Sequence, residues 1–281
     1  MAKIIYICGL GHSGSTILDM ALGAHPRVAG MGEVFTLLDD RHRERHYQST
    51  CSCGKKAPEC PFWGPVKGAL EQEEPLENRY ERLLEHAARY FGEGTIFVDS
   101  SKNSYSYLSY LNRHHDLTIL CLSRDFRSWS YSRHLSTGKP LVYFFFRWWL
   151  ENLKLRMQLK KMKLKPIETG YEELVLYPGE VLRMLAEQTG IPYDPLLLNP
   201  GKTHSHIISG NISRVDPQKR SSFRYDARWF LSTRLIILSW LFAWLNRLNR
   251  KWVYSHLNRH GISGFPVFGS RRRKELSNRH N

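Results

Sequence analysis

Gly9-Leu10-Gly11-His12-Ser13-Gly14-Ser15-Thr16 stands between a short apolar run, Ile4-Ile5-Tyr6-Ile7-Cys8, and the segment Ile17-Leu18-Asp19-Met20-Ala21-Leu22-Gly23-Ala24. The run is rich in β-branched residues and of strand length, and the segment after it carries apolar residues at helical spacing. Strand, glycine-rich turn and helix in that order make a phosphate-binding loop. Backbone N–H groups converge there on an anion, at the positive end of a helix. The pattern departs at one place from G-x-x-x-x-G-K-[ST]: Gly14 is its sixth residue, and Ser15 stands where a lysine would reach the β- and γ-phosphates. The loop therefore serves a triphosphate poorly and suits a donor with one 5′ anionic cluster. A plain glycine turn ahead of a Rossmann-like helix is the alternative.

Working outward, Thr95–Asp99 and Leu117–Leu122 read as further buried strands. Residues 76–91 read as a helix with Tyr80, Leu83, Leu84, Ala87, Ala88 and Phe91 on its apolar face. Residues 104–112, 144–162, 179–188 and 229–248 read as helices, Tyr171-Glu172-Glu173-Leu174 as a strand end, and 192–228 as irregular. Pro26 and Gly30-Met31-Gly32 mark a loop. Strands alternating with helices predict an α/β fold, a single domain with a central parallel sheet flanked by helices. That domain spans residues 1–250, with a basic extension over 251–281. Residues 39–68, punctuated by Gly54, Pro58, Pro61, Gly64 and Pro65, read as a Cys-containing insertion or lid. In such a sheet ligands bind past the carboxyl ends of the strands.

Lysine and arginine number 41 against 26 acids, an excess of 15 that favours anionic partners. Nucleic acid is not among the expected ones: no RNA or DNA module is recognisable, and the basic residues are not gathered into one stripe. The run at residues 4–8 is too short for a secretory h-region. Cys8 and Cys121 fall in expected core strands, so the five cysteines do not read as a secreted disulfide framework, and the expected compartment is the cytoplasm. The apolar run Leu235–Leu245 is eleven residues long, against about 20 for a spanning helix. It reads as a core helix. Docking on a membrane surface is the alternative, helped by Arg247, Arg250, Lys251 and the Arg271–Lys274 tail, which itself suggests a weak peripheral membrane contact.

The strand ending at Leu122 runs into Ser123-Arg124, with Ser132 eight positions further on. A guanidinium fork and a hydroxyl meet on one phosphate if the following helix turns back over the strand end. Local pairing of Arg124 with Asp125 or with a neighbouring loop is the alternative.

Taken together, Ser13-Gly14-Ser15-Thr16 after a strand and the Arg124/Ser132 pair resemble the sulfotransferases that use 3′-phosphoadenosine-5′-phosphosulfate (PAPS). Ala24-His25-Pro26 and Gly32-Glu33 are similar to the tyrosylprotein and bacterial branch of that family. Asp99-Ser100-Ser101-Lys102 is similar to its lysine-bearing segment, Tyr171-Glu172-Glu173-Leu174 to a Tyr-Glu-[DE]-Leu element, and Gly210–Arg214 to the late loop that closes on the nucleotide. The resemblance runs from about residue 4 to about residue 230. It implies a P-loop NTPase-like sulfotransferase fold and transfer of a sulfuryl group to a hydroxyl of a carbohydrate, lipid or other small acceptor. Gly11, His12, Ser13, Gly14, Ser15 and Thr16 are then expected to hold the 5′ end of the donor, Arg124 and Ser132 its 3′-phosphate, with Arg214 closing over it. Glu33 is the expected general base, with Lys102 and His12 stabilising charge on the bridging and sulfuryl oxygens. His12 stands where relatives usually carry arginine or lysine. The site supplies its own cations, so no metal is required. A nucleotide kinase or other phosphotransferase is the competing reading, and the missing lysine counts against it.

Cys51-Ser52-Cys53 and Cys60 form a separate C-x-C-x₆-C cluster. It reads as a metal site with His42 or His46 as fourth ligand, as a disulfide or redox-sensitive loop, or as plain packing.

Overall fold

The computed structural model describes residues 1–70, 74–102, 105, 107–211 and 214–255. In chain order the elements are β1 (Lys3–Gly9), α1 (Ser15–Leu22), β2 (Val28–Gly32), α2 (Phe35–Leu38), α3 (Asp40–Tyr47), α4 (Trp63–Leu70), α5 (Leu76–Phe91), β3 (Ile96–Asp99), α6 (Leu108–His114), β4 (Asp116–Ser123), α7 (Phe126–Thr137), α8 (Leu141–Lys161), β5 (Ile167–Gly170), α9 (Tyr171–Leu176), α10 (Pro178–Thr189), α11 (Pro217–Arg220), α12 (Thr233–Leu241) and α13 (Leu245–Trp252).

The strands form one parallel sheet in the order β2-β3-β1-β4-β5. β1 is central, which is why its six residues from Ile4 to Gly9 are all buried. Its side chains alternate between faces. Ile4, Tyr6 and Cys8 pack with Cys121, Trp63 and Tyr80 on one side, and Ile5 and Ile7 with Leu18, Leu120 and Leu182 on the other. A third cluster, built on Phe126, Trp129, Phe144, Trp148 and Trp252, joins α7, α8 and α13 beside the sheet.

The expected α/β sheet is present, with four differences of detail. Residues 28–32, expected as loop, are the edge strand β2, hidden because glycines weaken a strand signal. Gly30 is required there by close approach: a Cβ would lie 2.0 Å from Oδ1 of Asp19. The Tyr171–Leu174 stretch is helical, not a strand end, because β5 stops at Gly170. The single helix expected over 229–248 is broken into a 3₁₀ turn at Arg228–Leu231, α12 and α13, with Ser232 capping α12 through Leu235 N at 3.3 Å. Nor is it a core helix: Leu235, Ser239, Leu245 and Trp252 are buried, while Ile237 is 61% exposed, Trp240 79% and Leu241 74%.

The 39–68 insertion is packed into the body of the protein. Tyr47, Cys51, Cys60, Phe62 and Trp63 belong to the core on the Tyr6 face of the sheet. His42 pairs with Asp39 at 2.8 Å, and His46 lies 3.1 Å from Ser209 Oγ. Neither joins the cysteines; the imidazole beside them is that of His206. No helix among the described residues is long and apolar enough to cross a membrane. The basic tail Arg271–Lys274 and all residues beyond Ser255 lie outside the described residues.

Candidate active site

β1 ends on Gly9, and the chain turns through Leu10–Gly14 before α1 begins. Ser13 N donates to Leu10 O at 3.2 Å, closing the turn. Gly14, with φ 90°, is the N-cap of α1 and has no side chain of its own to cap that helix. Gly14, Ser15 and Thr16 line a cavity, so the N-terminus of α1 offers its first N–H groups to an anion there. A Cβ on Gly14 would meet the Tyr171 ring at 2.4 Å, so the loop and α9 close on each other only through glycine. His12 also sits in the left-handed region, at φ 70°, a conformation that costs a non-glycine residue of order 1–3 kcal/mol and concentrates at functional sites.

α7 clamps the loop from the far side. Trp129 Nε1 donates to Gly11 O at 2.7 Å, and Arg124 Nη1 donates to His12 O at 2.9 Å. Arg124 stands at the end of β4, where its guanidinium lies 4.7 Å from the Tyr171 ring centre and donates to Ser128 Oγ at 2.8 Å and Asp226 Oδ2 at 2.9 Å. Burial and the charge of Asp125 push Glu172 behind it up to about 8. Arg133 Nη1 donates to His12 Nε2 at 2.8 Å, which makes His12 an acceptor and hence a neutral imidazole. Desolvation in the loop, with the charges of Arg133, Lys102 and Arg124, lowers its pKa to about 4.

Glu33 follows β2 after Gly32, whose φ is 75°. Lys102 follows β3 at φ 66°, with its N–H on Ile7 O at 3.2 Å. The two side chains form an ion pair, Lys102 Nζ on Glu33 Oε1, next to the mouth of the loop. Two buried aspartates hold these strand ends. Asp19 on α1 accepts from Gly32 N at 3.2 Å and Ser100 Oγ at 2.7 Å, and burial raises it to about 8. Asp99 accepts from Tyr80 at 3.1 Å, Tyr107 at 2.8 Å and Ser101, and burial raises it to about 6.

The loop, the Glu33–Lys102 pair and Arg124 line one cavity of about 1000 Å³. Gly11, His12, Gly14, Ser15, Thr16, Glu33, Lys102, Arg124 and Ser132 all reach its wall. Two expected residues do not. Ser13 is buried beneath the loop. Arg214 donates to the carbonyls of Gly210, Asn211 and Thr50 at 3.0–3.2 Å, so it holds the late loop from behind. That loop reaches the site through Asn211 N, which donates to Thr16 Oγ1 at 3.1 Å; Ile212 and Ser213 lie outside the described residues. Sequence reasoning missed Arg133, Lys219, Arg224, Asp226 and Arg228, which also line the cavity. Arg133 adjoins Ser132, but the others come from a stretch with no periodicity to place them.

The Sulfotransferase family model matches residues 5–195. In three dimensions the chain is similar to the "Sulfotransferase Domain from the Synechococcus PCC 7002 Olefin Synthase", with TM-score 0.53 and 20% identity over 86% of this chain and 94% of that one. It is also similar to the "Sulfotransferase Domain from the Curacin Biosynthetic Pathway", with TM-score 0.54 and 17% identity over 86% of this chain and 98% of that one. No curated protein matches it by sequence. The fold is that of these domains, and the family match covers the glycine loop, Glu33, Lys102, Arg124 and Ser132; the chain belongs to the sulfotransferase family.

Proposed function

We propose that the protein transfers a sulfuryl group from PAPS to a hydroxyl of a carbohydrate, lipid or other small acceptor. The observation that carries this reading is that one cavity joins a glycine-started helix N-terminus, an acid–lysine pair and an arginine/serine pair. Each suits one part of the reaction. The loop and α1 suit the 5′ phosphosulfate, and Arg124 with Ser132 suits the 3′-phosphate. Glu33 takes the proton of the acceptor hydroxyl as its oxygen bonds to sulfur. Lys102 and His12 meet the negative charge that collects on the bridging oxygen when its bond to sulfur breaks, leaving adenosine 3′,5′-bisphosphate. These side chains supply the charge stabilisation that the scheme requires. A screen of hydroxyl acceptors with radiolabelled donor tests the reading: label should move to an acceptor in wild type, and no transfer to any acceptor class or to water would oppose it.

An acceptor or carrier at a lipid surface is favoured by the outer face of α8 and α12. Tyr143, Phe146, Leu150, Leu153 and Met157 recur on the exposed side of α8, and they continue onto α12 and α13 through Phe146–Phe242 at 5.4 Å and Trp149–Trp244 at 5.3 Å. Residues 227–255 contain no acid and carry Arg228, Arg234, Arg247, Arg250 and Lys251. An apolar face with a basic margin along α12 and α13 complements an anionic membrane surface. Vesicles with anionic lipid should sediment the protein, release it in high salt, and fail to hold Trp240→Glu. Binding that ignores lipid charge, or a dimer in solution that hides this face, would overturn that assignment.

A further inference from the structure

The three cysteines of the insertion are brought together by the fold, although the proposed sulfuryl transfer has no use for them. Cys51 Sγ lies 3.7 Å from Cys60 Sγ, and Cys60 Sγ lies 3.8 Å from Cys53 Sγ. His206 enters from a distant segment, with Nδ1 3.1 Å from Cys60 Sγ and 3.7 Å from Cys51 Sγ. All four ligand atoms fall within 4.8 Å of one another. We propose that Cys51, Cys53, Cys60 and His206 form a structural zinc site that fastens the insertion to the segment leading into the late loop.

The spacing carries the argument. Tetrahedral zinc with Zn–S of about 2.3 Å and Zn–N of about 2.0–2.1 Å sets ligand-to-ligand edges of roughly 3.5–3.8 Å. Of the six separations, Cys51–Cys60 at 3.7 Å, Cys53–Cys60 at 3.8 Å and Cys51–His206 at 3.7 Å fall in that range, Cys60–His206 at 3.1 Å is shorter, and the other two stay within 4.8 Å, so small side-chain shifts would close the four atoms on an ion. A disulfide requires sulfurs at about 2.05 Å, little more than half of what is seen. Three thiolates and one imidazole also match the donor set of structural zinc, closed to solvent and without an open position. Here three ligands are buried, and Cys53 alone is exposed.

The surroundings are those of a fixed site. Gly54, at φ 89°, turns the chain between Cys51 and Lys55, whose O accepts from Cys51 N at 2.7 Å. The second nitrogen of His206 lies 3.1 Å from Tyr90 OH, the outer partner that fixes a ligating imidazole with Nδ1 towards the metal. Ser52 ties the two segments directly: its N donates to Ile207 O at 2.8 Å, and its hydroxyl bridges Ser205 O at 2.7 Å and Ile207 N at 2.9 Å. Four residues beyond the His206 ligand lies Gly210, where a Cβ would meet Thr16 Oγ1 at 2.8 Å. The metal would therefore brace one wall of the cavity from outside it, taking no part in chemistry.

The test is metal analysis of the full-length wild-type chain purified under reducing conditions. One zinc per chain is expected, and Co²⁺ exchanged into the protein should give the visible spectrum of a tetrahedral thiolate site. Cys53→Ser, at the exposed ligand, should lose the zinc and the Co²⁺ spectrum, while His42→Asn keeps both. A strong chelator should lower the melting temperature of wild type and leave that of Cys53→Ser unchanged. Wild-type protein that holds neither zinc nor Co²⁺ when supplied in excess would overturn the proposal, whatever the variants do. So would a disulfide among Cys51, Cys53 and Cys60 in freshly purified reduced protein.

Discussion

Arg124 Nη2 lies 2.9 Å from Asp226 Oδ2, and the same carboxylate takes Nε and Nη2 of Arg228 at 2.7 and 2.8 Å. Hydrogen bonds from Arg228, ahead of those from Arg124, hold Asp226 down at about 2, so it is ionised at any working pH. An anion that uses Arg124 must share it with this carboxylate. Asp226→Asn removes the competing charge with little change of shape. Binding of adenosine 3′,5′-bisphosphate should tighten by roughly tenfold, the scale of one charge-assisted hydrogen bond. Unchanged or weaker binding would show that Asp226 holds the arginines in place.

The Lys102–Glu33 pair sets the second expectation. Glu33→Gln keeps volume and removes basicity, so single-turnover transfer to a verified acceptor should fall by roughly 10²–10⁴-fold, the usual worth of a general base. Donor affinity should stay within about threefold, because the carboxylate does not hold the nucleotide. A variant with near-normal turnover would send the search for the base to His12.

His12 gives a pH signature. Its pKa of about 4 makes it neutral at pH 5.5–6.5 in the free protein. An anion placed beside it favours the protonated form and raises that value. Beyond what the ligand's own phosphates exchange, since they titrate at about 6, binding of the bisphosphate at pH 5.5–6.5 should therefore take up a proton at His12, read as a dependence of calorimetric enthalpy on buffer ionisation heat compared with that of His12→Gln. His12→Gln should abolish that uptake. The folding linkage has a related sign: a histidine lowered from about 6.5 contributes stability that is present above pH 6.5 and lost as pH falls towards 4. Uptake equal to that of wild type in His12→Gln would assign the proton elsewhere.

Local signals made β1, the loop, α1 and β4 legible in the sequence: continuous apolar runs bounded by glycine or a charged residue. β2 was not, because two of its five residues are glycines kept small by Asp19 and Ile207. The break between α12 and α13 was hidden because Leu235–Leu245 is apolar on every side, and periodicity cannot then say which face is buried. His206 was out of reach for a different reason. It lies 146 positions from Cys60, and only the fold brings it beside the cysteines, whereas His42 and His46 were merely near in sequence. Asp226 and Arg228 likewise reach the cavity from an irregular stretch.

The claim that the cavity takes a 3′-phosphorylated adenosine donor is tested most directly by calorimetry with adenosine 3′,5′-bisphosphate and adenosine 5′-monophosphate, in wild type and Arg124→Ala. The account predicts that Arg124→Ala weakens the bisphosphate by about 2–4 kcal/mol, the loss of a buried charge-assisted contact, and barely changes the monophosphate. Equal losses for the two ligands, or an ATP affinity above that of the bisphosphate, would contradict it.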